Sequence, residues 1–177
     1  MSDQPSVPDL PPAIEIPAAW KGAELFSRDD WLVHLDQRHL ADLDSAVKTI
    51  SSKNLSQAEI TPEHFPLPEL GPLLRRVQHR LEHGSGACQI KRVPIENYSQ
   101  AEREILFWLI SVHLGTPVSQ SATGEKLFHV RDEGFKVGQA QARGPNTSKR
   151  LSFHTDRCDV IGFLCIQQAL SGGDNQL

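Results

Sequence analysis

His154 and Asp156 stand two residues apart in "LSFHTD" (151–156), a stretch of otherwise strand-like composition. In a strand, side chains at i and i+2 point to one face, so Ser152, His154 and Asp156 would share a side and Leu151, Phe153 and Thr155 the other. The apolar pair Leu151 and Phe153 is then expected to pack inward, with the imidazole and the carboxylate presented together on the opposite face. One ring nitrogen and one carboxylate oxygen suit a hard-to-borderline divalent ion, and they supply two of the three ligands of a 2-His-1-carboxylate facial triad. A surface histidine beside an acid has the same sequence signature, and spacing alone does not separate the two readings.

Such a pair needs a scaffold, and hydrophobic periodicity shows where one forms. Leu40, Leu43, Ala46, Val47 and Ile50 recur at helical spacing, which predicts an amphipathic helix packing by its Leu43 and Val47 face. Leu70, Leu73, Leu74, Val77 and Leu81 repeat the pattern, with Gly84 placed to stop that second helix. "ACQIKRVPI" (87–95) reads as a strand. Ser99 with Glu102 three residues on is a capping box, so a third helix is expected from Ser99 to near Gly115. Beyond it, "KLFHV" (126–130), "FKVGQAQAR" (135–143), "LSFHTD" and "DVIGFLCIQQA" (159–169) read as short strands between polar loops. Helices first and strands second make an α+β layout.

Composition bounds the possibilities. The 177 residues are 38% hydrophobic and 23% charged, enough for one domain with a real core. A net charge of −4 with scattered basic pairs gives no footprint for nucleic acid, and no apolar run reaches the roughly 20 residues a membrane helix needs. The N-terminal stretch has neither a basic region nor an apolar core of the secretory kind, so a cytoplasmic protein is expected. Three cysteines, Cys88, Cys158 and Cys165, lack any C-x-x-C spacing and read as reduced thiols, Cys165 as a small buried hydrophobe. Five of the twelve prolines fall within residues 1–17, so residues 1–20 are expected to form an extended arm and 21–177 the domain.

The segment 151–177, "LSFHTDRCDVIGFLCIQQALSGGDNQL", resembles the TauD/TfdA-like (clavaminate synthase-like) Fe(II)- and 2-oxoglutarate-dependent dioxygenases. "LISVHLGTPVSQSATGEKLFHV" (109–130) is similar to that family's helix, turn and following strand, and "QARGPNTSKRLSFHTD" (141–156) to its lead-in to the metal strand. "PLPELGPLL" and "LEHGSG" within 66–86 are similar to its N-terminal helix and G-x-G step. The order of these motifs, over most of residues 65–177, is far more specific than H-x-D alone.

The resemblance implies a double-stranded β-helix (jelly roll) seen through its N-terminal helices and first core strands. It implies Fe(II) held by His154 and Asp156 as the first two ligands. 2-Oxoglutarate would be the co-substrate, and O2 would oxidise a small organic molecule with succinate and CO2 as co-products. A second histidine and a 2-oxoglutarate-binding arginine are expected downstream of Leu177, so the domain is expected to be truncated before its distal ligand and inactive as it stands. Where the family often carries a threonine or serine after G-G-D, this chain has Asn175, whose amide is a candidate contact for 2-oxoglutarate. The paired glycines Gly172 and Gly173 serve a tight turn equally well.

The other histidines all precede His154. His113 reads as a packed or rim residue and His129 as a pocket-wall candidate. His34, His39, His64, His79 and His83 read as surface residues. Lys149, Arg150 and Arg157 could draw in an anionic co-substrate or be solvated loop charges. Two rival readings stand beside the oxygenase: a non-catalytic jelly-roll or cupin-like binding module, including a decayed oxygenase, and a metal-dependent hydrolase with the same ligands. The substrate could be a sulfonate, an aryloxy acid, an amino-acid derivative or an intermediate of antibiotic or other natural-product biosynthesis.

Overall fold

The computed structural model describes residues 14–121, 123–131, 134, 150–156 and 158–171. Its elements run α1 (Gly22–Phe26), β1 (Leu32–His34), α2 (Gln37–Lys53), α3 (Leu70–His83), β2 (Gln89–Lys91) and α4 (Gln100–Val112), with single 3-10 turns at Gln57–Glu59 and Ile95–Asn97. The three long helices fall where the sequence reading placed them, α2 and α3 by periodicity and α4 by its capping box.

Helix α2 is held at both ends by its own sequence. The Asp36 carboxylate accepts from the N–H groups of Arg38 and His39 at 2.9 and 3.0 Å, and the Asp36 N–H donates to His39 Nδ1 at 3.1 Å. This is a capping box with histidine in the place usual for glutamate. At the other end Asn54 adopts the left-handed conformation (φ 50°). The Asn54 and Leu55 N–H groups donate to the carbonyls of Ser51 and Ile50, the paired bonds of a Schellman stop. Leu43, Val47 and Ile50 line the inward face with no exposed surface.

α3 and α4 pack on α2. The start of α3 lacks a cap of its own: the N–H groups of Glu69 and Leu70 donate to the Asp42 carboxylate of α2, at 2.6 and 3.0 Å. Gly71 lets the chain enter there, because a Cβ would lie 2.5 Å from the Pro66 carbonyl oxygen. The stop at Gly84 works by close approach rather than by the left-handed backbone usual for such a glycine. Its φ is −112°, and a Cβ would sit 2.8 Å from the Arg80 carbonyl oxygen. α4 opens on the expected box, in which Ser99 N–H and Oγ–H both donate to Glu102, at 2.9 and 2.7 Å. Trp108 Nε1–H and His113 Nε2–H then bond the carbonyls of Gln57 and Phe65, tying α4 to the α2–α3 connection. His113 is thus packed, as expected.

The strands depart from the sequence reading. β2 lies within "ACQIKRVPI", but its partner is β1 in parallel register, Val33 opposite Ile90. β1 was not anticipated, since three residues are too short to show alternation. Among the described residues, "KLFHV", "LSFHTD" and "DVIGFLCIQQA" form no strand; "FKVGQAQAR" lies outside the described residues. A strand is defined by a neighbour that takes its N–H and C=O groups, and no described segment lies alongside these three. The observed fold is therefore a small α+β unit with two parallel strands. Most of the proline-rich arm, residues 1–13, lies outside the described residues; Trp20 bonds the Ser85 carbonyl at 2.7 Å.

Two outcomes test this account. Asp42→Ala should lower unfolding free energy by about 1–2 kcal/mol in urea titrations, the usual worth of a helix cap, and Asp42→Asn, which keeps an oxygen acceptor, should lose less. Hydrogen bonds from the His39 backbone, from Ser56 and from Ser99 hold the carboxyls of Asp36, Glu59 and Glu102 below their ordinary values of 3.8, 4.5 and 4.5. Depressed folded-state values give stability that is present above the ordinary carboxyl range and lost as pH falls through it and below. Thermal unfolding followed from pH 6 downward should show that acid limb, and Glu59→Gln with Glu102→Gln should flatten it.

Candidate metal centre

His154 and Asp156 lie on an irregular extended segment, residues 150–156, rather than on a strand. They are nevertheless close: His154 Nε2 is 3.9 Å from Asp156 Oδ1, with the two side chains 56% and 45% exposed. His154 Nδ1 is 2.8 Å from the Ser152 carbonyl oxygen. A carbonyl can only accept, so Nδ1 is the donor, and in the neutral ring Nε2 is the unprotonated nitrogen facing Asp156. Metal-binding imidazoles are commonly oriented by such a second hydrogen bond. The donor set is one free imidazole nitrogen and one carboxylate, which fits two positions of an N/O-ligated divalent ion. No third ligand joins them among the described residues, where no group of three His, Cys, Asp or Glu is arranged for a metal.

The helices hold the stretch that follows, around Gly162 and Leu164. Leu164 is half-buried against the helical core, and a Cβ at Gly162 would meet the Phe107 ring of α4 at 3.6 Å, ordinary contact. His129 Nε2 lies 3.2 Å from Glu104 of α4 and is exposed, so the expected pocket wall is not formed by it here. His34, His64, His79 and His83 are exposed as expected, while His39 is partly buried in its capping box. A shallow cleft of about 350 Å³ beside the end of α2, lined by Thr49, Lys53, Leu55, Glu59, His64 and Phe65, includes neither His154 nor Asp156.

Two packing expectations are corrected. Leu151 and Phe153 do not pack inward but are 55% and 77% exposed, and Cys165 is exposed rather than buried. Both expectations assumed a second layer over the segment, and no described residue supplies one. All three cysteines are free thiols. Asn175, Gly172, Gly173, Lys149 and Arg157 lie outside the described residues; Arg150 is exposed. Sequence reading missed the Ser152 carbonyl as the partner that orients His154, because a main-chain acceptor is present whatever residue stands there and leaves no signal in the sequence. It also missed the approach of Phe107 to Gly162, 55 positions apart, and the packing of Leu164 on the helical core, neither of which leaves a local trace.

A sequence model of the family described as taurine catabolism dioxygenase TauD, TfdA family matches residues 51–177, from the last turn of α2 through the His154–Asp156 segment. The chain belongs to this TauD/TfdA family. It is 29% identical over 158 residues to the FR-33289 synthase of Streptomyces rubellomurinus, a match covering 89% of this chain and 47% of that protein. It is 28% identical over 162 residues to the taurine hydroxylase-like protein SAT17 of Stachybotrys chartarum, covering 88% of this chain and 42% of that protein. The chain therefore spans less than half the length of these two TauD/TfdA relatives. Among the described residues no helix is long and apolar enough to cross a membrane.

The anchoring of the segment that carries His154 and Asp156 is testable. Leu164→Ala should loosen residues 150–171 by about 1 kcal/mol, less than a fully buried leucine costs, while the helices persist. Limited proteolysis should then cut this segment roughly fivefold faster, with far-UV circular dichroism unchanged. Equal cleavage rates would show that Leu164 does not hold it.

Proposed function

We propose that the chain forms the N-terminal part of an Fe(II)- and 2-oxoglutarate-dependent dioxygenase domain of the jelly-roll kind. The domain would occupy residues 21–177 behind the proline-rich arm, and it would act on a small organic molecule in the cytoplasm. The observation that carries the reading is the preset His154 imidazole, its Nε2 free beside the Asp156 carboxylate, in a TauD/TfdA chain. Fe(II) held there would supply O2 activation coupled to decarboxylation of 2-oxoglutarate, giving succinate and CO2.

The chain's own residues do the positioning. Ser152 fixes the imidazole tautomer through its carbonyl, and Asp156 brings a negative charge that lowers the cost of placing a cation there. Asn175 is proposed to donate its amide N–H to a 2-oxoglutarate carboxylate. The remaining ligand, a second histidine, and an arginine for the distal carboxylate are proposed to come from polypeptide that the relatives carry outside the matched stretch. On this reading residues 1–177 alone are inactive. A non-catalytic binding module is the second reading, favoured by the exposure of the His154 and Asp156 side chains, 56% and 45%.

Succinate formation from 2-oxoglutarate, measured with added Fe(II), separates the two. Residues 1–177 should yield none, and the polypeptide at the length of its relatives should yield succinate. His154→Ala and Asp156→Ala should each abolish that turnover and weaken Fe(II) binding by at least tenfold, since one ligand of a small set is lost. Succinate formation that survives His154→Ala would remove the metal assignment.

A further inference from the structure

The last turn of α3 carries a second pair of imidazoles. His79 and His83 are four residues apart on the helix, both exposed, with ring centroids 4.8 Å apart and planes inclined at 58°. Side chains at i and i+4 lie one above the other on a helix face, so the backbone holds both rings beside a common point. Two imidazole nitrogens at about 2.0–2.1 Å from one ion are within reach of small rotations from this arrangement.

Three features favour a cation at that point. The Glu82 carboxylate stands 3.6 Å from His83 Nε2, adding negative charge without being a third ligand. The C-terminal end of a helix is the negative end of its dipole, and α3 has 14 residues. The neighbouring arginines are engaged elsewhere: Arg76 donates to the Pro72 carbonyl at 3.3 Å, Arg75 Nη1 lies by Gly71, and Arg80, between the two histidines in sequence, lies by Cys88.

We propose that His79 and His83 form a two-imidazole chelate for a divalent transition-metal ion of the Zn(II), Ni(II) or Cu(II) class, distinct from the His154–Asp156 pair. Water completes the coordination. Imidazole donors with no thiolate and no bound carboxylate suit these three ions better than magnesium or calcium, with Cu(II) the tightest. The paired geometry exists only while α3 is helical, so the ion also stabilises the folded chain.

Calorimetric titration of the 177-residue chain with NiCl2, repeated with ZnCl2, tests this. Wild type and His154→Ala should bind one ion with the same affinity, and the melting temperature should rise with added metal. His79→Ala and His83→Ala should each weaken binding by about a hundredfold, the loss expected when a two-point attachment becomes one. Both residues are exposed, so circular dichroism should show the variants folded as wild type. An unchanged isotherm in His79→Ala/His83→Ala would overturn the proposal, as would binding that His154→Ala abolishes and the double variant keeps.

Discussion

From a neighbouring helix, the carboxylate of Asp42 takes the N–H groups of Glu69 and Leu70 where α3 begins, and the path of the chain depends on that contact. α3 begins with Leu-Gly-Pro and has no side-chain cap of its own, so its N-terminal donors need an acceptor from elsewhere. Asp42 supplies it while the adjoining face of α2 closes the core with Leu43 and Val47. One residue therefore sets the distance between the two helices, and Gly71 removes the Cβ that would forbid that distance. The ion pair between Arg38 and Glu69 spans the same junction at 3.7 Å, but both side chains are well exposed and such pairs add little. With α3 fixed, its far end delivers β2 beside β1, which precedes α2, and the parallel ladder closes the unit.

What could be read in the sequence follows from how local each interaction is. The three helices carry their cores at 3.6-residue spacing, and the α4 start carries its cap within four residues, Ser99 to Glu102. Both features are contained in one short window. The Asp42 cap joins positions 27 and 28 residues apart, and the β1–β2 ladder joins positions 57 apart, so neither has a local signature. The strands expected at 126–130, 151–156 and 159–169 fail for the same reason in reverse. Their composition suits a pleated surface, but a strand forms only where a neighbour offers a ladder.

The closeness of His154 and Asp156 was legible for a different reason. His154 and Asp156 come together because two residues of extended chain keep them on one side, whether or not a sheet forms around them. The hydrogen bond from His154 Nδ1 to the Ser152 carbonyl is likewise contained in three residues. The chemistry-bearing geometry is local and survives the absence of a ladder, whereas the burial of Leu151, Phe153 and Cys165 required a partner layer. Family membership through the match over residues 51–177 agrees with the motif order rather than with any strand assignment.

Exposure links these two halves of the site. With the His154 and Asp156 side chains 56% and 45% exposed, water screens any charge placed between them. The attraction between an ion and a carboxylate falls steeply as the effective dielectric rises. A dioxygenase centre of the proposed kind needs a drier setting, and the driving force for one is present in the same segment. Leu151, Phe153, Val160, Ile161, Phe163, Ile166 and Leu170 are all at least 45% exposed. Covering each is worth roughly 1.5–3 kcal/mol at most, so covering the set amounts to roughly 10–20 kcal/mol at most. Under the proposed function, the polypeptide layer that covers Phe153 and its neighbours is also the one that excludes water from His154 and Asp156. Folding of that layer and formation of a metal site strong enough for catalysis would then be one event, with Leu164 and Phe107 holding the segment in place to receive it.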